Sequence, residues 1–320
     1  MITGTGLAGC HHGEILQGVF SGEGGRPCRG LVTLPMSSPV ARAVFTPLPG
    51  TPGEHIVLDT PGRTKAARAA ALAVAECARL AGRPACGGRL RVGGGAAPGL
   101  GMGSSTSDVI ASIRAVAASF GARPSPGVVA RLAVRAERAS DPIMLGDRPV
   151  LFAQREGRVL EDFGPVLPAM AVVGCLTGGG QPVSTLDLPG GAVEGDVADY
   201  ELLRAALRAA ITDGDAAGVG RVSTESARLN QRVLPKAEFA TLQDVARRCG
   251  AVGVQVAHSG NVAGLLFDAG VPDLDARLRS CGTRLRDHGL TATRIFRTPP
   301  WNNGARSWTT TFPRRSADRI

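Results

Sequence analysis

The chain has 320 residues, 43% of them hydrophobic and 20% charged, enough for a sizeable core and, on length, for two domains. A mean hydropathy of +0.07, with no apolar run near the roughly 18 residues of a membrane span, argues against a disordered tail and against a membrane partner. The formal charge of +9 raises nucleic acid as a partner, yet the arginines are spread over predicted helices and aromatics make up only 4%, too few for base stacking, so none is expected.

Lys65 and Lys236 are the only lysines, and neither sits in a GxxxxGK[ST] loop, so a Walker-type nucleotide site is excluded. Seven scattered cysteines without a CxxC pair argue for reduced thiols and against a zinc module. The first residues carry no basic-then-apolar leader, and a cytoplasmic location is expected.

In chain order, residues 31–46 read as strands interrupted by Pro35 and Pro39, and the alanine-rich run 65–81 as a helix stopped by Gly82 and Pro84. A short strand at Arg89–Val92 runs into a glycine-rich stretch. Val109, Ile110, Ile113, Val116, Ala117 and Phe120 then recur at helical spacing. Ser125 and Pro126 open a helix that runs to Glu137, and residues 150–153 and 158–163 flank Glu156-Gly157 as a hairpin. A strand at 169–176, helices near 198–211, 216–229 and 238–248, strands at 253–257 and 263–267, a helix at 273–287 and a strand at 291–297 complete the pattern. The fold class is α+β in two domains, divided as 1–165 and 166–320, not a doubly wound sheet. The tail from Trp301 is polar and Arg-rich, and reads as loosely held.

Glycine, 44 residues in all, concentrates where chemistry is to be sought. Pro98-Gly99-Leu100-Gly101-Met102-Gly103-Ser104-Ser105-Thr106 lies between a strand and a helix. The glycines permit a sharp turn and close backbone approach, and the helix that follows offers unpaired N–H groups and a positive dipole end to a phosphate. The hydroxyls of Ser104, Ser105 and Thr106 can bond phosphate oxygens or ligate Mg²⁺. The bland alternative is a turn closed by a capping box from Ser105 to Asp108. Two further clusters stand out: Cys10-His-His-Gly-Glu-Ile-Leu-Gln-Gly18, and Gly253 to Gly264, which reads as strand, tight polar turn, strand.

Together these three clusters resemble the three motifs of the GHMP kinase superfamily, whose members phosphorylate small alcohols with ATP. Within it, GEILQG, GMGSSTSD, VAHSG and the stretch Ser226–Lys236 are most similar to bacterial L-threonine kinases of cobalamin biosynthesis. His11-His12 and Asn261 depart from that pattern, as does the Glu137-to-Asp141 spacing, one residue longer than usual.

The resemblance implies an N-terminal ATP-binding domain and a C-terminal ferredoxin-like α/β sandwich, with ATP and Mg²⁺ as cofactors. It places ATP on Pro98, Gly99, Gly101, Met102, Gly103, Ser104, Ser105 and Thr106, and Mg²⁺ on Ser105 and Glu137. Asp141 becomes the group that accepts or orients the hydroxyl proton, and His12, Glu14, Gln17, His258, Ser259 and Gly260 become the contacts to a small hydroxylated substrate. Read on their own, Glu137 is a surface carboxylate paired with Arg135 or Arg138, Asp141 an Asp-Pro turn, and His258-Ser259-Gly260 equally a hairpin turn. Adjacent His11 and His12 do not read as a metal pair. The expected activity is phosphorylation of L-threonine by a monomer or homodimer; the alternatives are another small alcohol, or a non-catalytic sensor that keeps the fold.

Overall fold

The computed structural model describes residues 2–97, 99–181, 196–258 and 260–298. Pro98, Ser259 and the tail from Trp301 lie outside them. The N-terminal part is built from strands β1 (Gly4–Ser21), β2 (Pro27–Pro47), β3 (Ile56–Leu58) and β4 (Gly88–Gly94), helices α1 (Thr64–Ala81), α2 (Ser104–Phe120) and α3 (Pro126–Glu137), and the hairpin of β5 (Val150–Ala153) and β6 (Arg158–Asp162). The C-terminal part adds β7 (Met170–Leu176), α4 (Asp196–Thr212), α5 (Ala216–Asn230), α6 (Phe239–Cys249), β8 (Gly253–Val256), β9 (Val262–Asp268), α7 (Leu274–Asp287) and β10 (Ala292–Arg297).

The sheet runs β10-β7-β9-β8-β1-β2-β4-β3, with β5 and β6 attached through β2. Its C-terminal section, β10-β7-β9-β8, is antiparallel throughout, with helices between β7 and β8 and between β9 and β10. That is the ferredoxin-like arrangement expected. The two sections join where Glu14 of β1 pairs with Val256 of β8.

One strand was not anticipated, and one expectation is revised. The stretch 4–21 carries glycines at 4, 6, 9, 13 and 18, which depress strand propensity, yet it forms β1, paired along most of its length with β2. Pro35 and Pro39 do not interrupt β2. The register slips there, so that Gly9 faces Val40 while Cys10 faces Met36; Pro39 falls in the slipped stretch, where strands tolerate proline, and Pro35 pairs with His11 beside it.

Local signals account for most helix ends. Ser125 accepts a hydrogen bond from the Val128 N–H, with Pro126 in the first turn, and Gly82 closes α1 in the left-handed conformation. The buried face of α1 is Ala66, Ala69, Ala70, Ala73, Val74, Cys77 and Ala78, side chains small enough for close packing. The first core lies under α1–α3, the second between β1/β2 and α4/α5, and the third under α6 and α7. All seven cysteines are buried free thiols. Among the described residues no helix is long and apolar enough to cross a membrane.

Candidate active site

The glycine loop opens into α2 at Gly103, whose φ of 65° is in the left-handed region. No side chain caps the helix, so the alternative of a capping box from Ser105 to Asp108 falls away, and Asp108 pairs with Arg63. The first N–H groups of α2 therefore keep their capacity for an anion. Gly103 is required by space as well as by φ, because a Cβ there would stand 2.4 Å from Cδ2 of His11. A Cβ on Gly260 would lie 2.2 Å from the Gly101 amide nitrogen, so the loop and the turn after β8 pack backbone to backbone. Lys236, buried, fixes that turn by donating from Nζ to the Gly260 carbonyl at 2.6 Å.

A cleft of about 460 Å³ lies in front of the loop, and residues from Gly99 to Thr106 line it together with His11, Glu14, Glu137, Asp141 and His258. One line of polar contacts runs along it. Ser105 donates to Glu137 Oε2 at 3.0 Å and Thr106 to Oε1 at 2.8 Å. The Asp141 amide reaches Thr106 Oγ1 at 3.5 Å, and its carboxylate accepts from His11 Nε2 at 3.0 Å. His11 Nδ1 lies 3.7 Å from Glu14 Oε1, and the other oxygen of Glu14 accepts the His258 N–H. His258 donates from Nδ1 to Gln17 Oε1 at 2.9 Å and faces the Gln154 amide at 3.5 Å.

Glu137 is thus not a surface carboxylate paired with a neighbouring arginine. The longer Glu137–Asp141 spacing is absorbed at Arg138, the only non-glycine with positive φ (73°) among the described residues. Such a residue stores roughly 1–3 kcal/mol of strain. Here it reverses the chain so that both carboxylates reach Thr106.

The charges follow from this arrangement. Burial opposes a charged His11, but Asp141, with Glu14 adding, overrides it and lifts the imidazole to about 9. Asp141, pushed up by burial, is pulled below the ordinary carboxylate value by His11. Burial raises Glu14 to about 7 in spite of His11. Burial, reinforced by Asp141, raises Glu137 to about 7. His258 falls to about 4 through burial and the nearby charge of Arg29, so its ring is neutral, with Nε2 facing the Gln154 amide. The ligand atoms of His11, Glu14 and Asp141 lie within 4.8 Å of one another. With His11 protonated, the imidazolium supplies the positive charge of this trio.

His12 was the histidine expected at the substrate. It is fully buried outside the cleft, bound through Nδ1 to Gln255 Oε1 at 3.0 Å, with its ring 5.2 Å from that of Phe296. The reason is strand geometry. Alternation sends His11 and His12 to opposite faces, and the irregularity between His11 and Glu14, with Gly13 at φ 62°, returns Glu14 to the His11 side. Gln17 stands behind His258, and Gly260 behind the glycine loop. His11 and four basic cleft residues, Arg29, Lys65, Arg138 and Arg155, were not among the expected site residues. The rarity of lysine was the only signal that pointed to any of these four.

Known proteins resemble this chain in part of its sequence and in its fold. Residues 65–147 match the family model of the GHMP kinases N terminal domain. A 57-residue segment is 42% identical to the L-threonine kinase of Citrobacter freundii, covering 18% of this chain and 20% of that enzyme. The chain therefore aligns with only about a fifth of that relative's length. A homoserine kinase structure from Cytophaga hutchinsonii superposes with a TM-score of 0.67 at 13% identity, over 93% of this chain and 95% of that one. A protein designated MDDEF, solved with MVAPP, AMPPCP and magnesium, superposes with a TM-score of 0.62 at 14% identity, over 93% and 98%. The chain is GHMP-kinase-like in sequence over that N-terminal segment and GHMP-kinase-like in fold as a whole.

Proposed function

We propose that the chain is an ATP-dependent kinase of a small alcohol, with the side-chain hydroxyl of L-threonine as the favoured acceptor and O-phospho-L-threonine as the product. The observation that carries this reading is the unbroken line of contacts from the uncapped start of α2, through Glu137 and Asp141, to His11 and Glu14. It joins a phosphate cradle to a carboxylate that can take a hydroxyl.

In this reading residues 1–165 bind ATP and 166–320 form the second domain. The phosphates lie on the α2 N-terminus and the hydroxyls of Ser104, Ser105 and Thr106, with Lys65 in the same cleft. The residues present fit a magnesium ion. Glu137, whose pKa is raised by burial and by Asp141, presents with Ser105 the oxygen ligands that a hard cation takes. Bound there, Mg²⁺ offsets the negative charge of the phosphates. The hydroxyl oxygen forms the new P–O bond as the bond from the γ-phosphorus to its bridging oxygen breaks, and the hydroxyl proton passes to Asp141. A carboxylate held as acidic as Asp141 is a weak base toward a ground-state alcohol. It suits a loose transition state, in which the chief tasks are orientation and late acceptance of the proton.

The segment shared with L-threonine kinase and the fold shared with a homoserine kinase both support a hydroxylated amino acid as acceptor. The test is ADP release with Mg-ATP across threonine, serine, homoserine and sugar alcohols. Turnover is expected with L-threonine. Asp141→Asn should lower it by about two orders of magnitude or more while a fluorescent ATP analogue still binds. Near-normal turnover by that variant removes Asp141 from the mechanism, and turnover confined to another alcohol replaces threonine.

A further inference from the structure

His11 departs from the motif it sits in, and the kinase reading gives its ring no chemistry beyond the contact with Asp141. The ring is buried, and both of its nitrogens face acceptors. Nδ1 stands 3.2 Å from the Gly13 carbonyl and Nε2 3.0 Å from Asp141 Oδ2, and neither a carbonyl nor a carboxylate oxygen can donate. Glu14 Oε1 adds a further acidic oxygen 3.7 Å from Nδ1. With the Nδ1 hydrogen given to Gly13, the lone pair of Nε2 would meet a carboxylate directly, so a cation has to stand there. In the metal-free chain that cation is a proton.

A metal ion fits the same place. The ligand atoms of His11, Glu14 and Asp141 lie within 4.8 Å of one another, the one such cluster of His, Cys, Asp and Glu among the described residues. Around a tetrahedral zinc ion, with bonds of about 2.0–2.2 Å, neighbouring ligand atoms stand about 3.4 Å apart, inside the range the trio already spans. The outer contacts that orient a ligand set are present as well. The Gly13 carbonyl fixes the His11 ring, the His258 N–H holds Oε2 of Glu14, and Thr106 Oγ1 meets the Asp141 amide. His11 and Glu14 are buried, unlike the surface acids that gather without an ion, and partly exposed Asp141 opens the trio to the cleft. One imidazole with two carboxylates suits zinc or a similar first-row divalent ion. It does not suit Mg²⁺, which takes oxygen ligands, as Ser105 and Glu137 offer.

We infer that His11, Glu14 and Asp141 form a three-ligand site for a zinc-type divalent cation, which replaces the proton on Nε2 and keeps one coordination position open to the cleft. The proton leaves Nε2 for solvent as the metal–nitrogen bond forms. Metal-bound Asp141 cannot accept the hydroxyl proton of an acceptor, so the ion blocks turnover while the α2 terminus still takes ATP. That consequence rests on the kinase reading above; the site itself does not.

The experiment titrates Zn²⁺ alone into the full chain, stripped of metal by a chelator and returned to chelator-free buffer, by calorimetry with and without excess Mg²⁺. One ion per chain should bind, and excess Mg²⁺ should not displace it. His11→Gln and Glu14→Gln should each weaken binding by about 100-fold or more, since loss even of an outer contact costs about 10–100-fold. A fluorescent ATP analogue reports that these variants are folded, and His55→Gln, at an exposed histidine outside the cleft, should bind Zn²⁺ as the wild type does. In ADP-release assays, chelator-buffered free Zn²⁺ should suppress turnover in proportion to the occupied fraction, and removing it should restore turnover. No saturable binding, binding that His11→Gln retains, or binding that Mg²⁺ displaces overturns the site. Full turnover by the zinc-loaded protein overturns the block at Asp141. Zinc binding that depends on His11 and Glu14, without ADP release from any acceptor in zinc-free Mg-ATP, overturns the kinase reading and leaves the site standing.

Discussion

The ion pair between His11 and Asp141 makes a prediction that can be worked through. The His11 side chain is 4% exposed, and its Nε2 stands 3.0 Å from Asp141. Its pKa rises from 6.5 to about 9. In the folded state His11 therefore keeps a proton that the unfolded chain releases between those values, so stability falls as pH rises across that window. The contribution is complete below 6.5 and lost through about 9. At 1.36 kcal/mol for each unit of pKa, the shift corresponds to about 3 kcal/mol, within the roughly 3–5 kcal/mol lost on breaking a buried pair.

The assay is a double-mutant cycle of His11→Gln, Asp141→Asn and the double variant, with urea unfolding followed at several pH values. The cycle cancels the titration of Glu14 to the extent that each single change affects it equally. A coupling of about 3 kcal/mol is expected at pH 6, falling to about 1 kcal/mol at pH 10, where only a neutral hydrogen bond remains. Coupling below about 1 kcal/mol at pH 6, or coupling that grows with pH, would refute the reasoning. Turnover should follow the same limb, declining above pH 9 in the wild type.

Three other changes test separate parts of the site. Glu137→Gln removes the carboxylate that Ser105 and Thr106 contact. It should abolish the magnesium-dependent part of the ATP-induced rise in Tm, while the thermal stability of the ligand-free protein stays equal or increases, since burial disfavours the charged form of Glu137. Gly103→Ala places a Cβ against His11 at a positive φ, and chemical denaturation should register a loss of about 1–3 kcal/mol together with reduced turnover. Lys236→Met removes the donor to Gly260. Steady-state kinetics should then show KM for ATP rising about tenfold, the equivalent of one charge-assisted hydrogen bond, with a smaller change in kcat.

The parts of the site that were legible in the sequence are those set by neighbours in the chain. Gly99 to Thr106 followed by a helical pattern could be read because a glycine turn and an amphipathic run are local. The ends of α1 and α3 were readable for the same reason. The long strand β1 was not. Its glycines argue against a strand, and what holds it is the partner β2 and the helix α2, whose backbone lies 2.1 Å from where Cβ atoms on Gly4 and Gly6 would stand. The choice between His11 and His12 depends on an irregularity of that same strand, which only pairing defines. Arg29 and Arg155, far apart in the chain, both line the cleft because β5 joins β2, a pairing that no residue pattern announces.

The seam between the two sections of the sheet explains why the site lies where it does. Glu14, the residue through which β1 pairs with β8, is also the carboxylate between His11 and His258. Asp141 is anchored on one side to Thr106 in α2 and on the other to His11 in β1. A small displacement of α2 against β1 would therefore pull its two anchors apart and, in the proposed mechanism, turn its carboxylate away from the acceptor. The glycine contacts resist that displacement, since Gly103 against His11 and Gly101 against Gly260 leave no gap for the loop to move into. In the proposed mechanism orientation is the largest task of this carboxylate, and there the close packing of these glycines bears on catalysis as directly as the carboxylate itself.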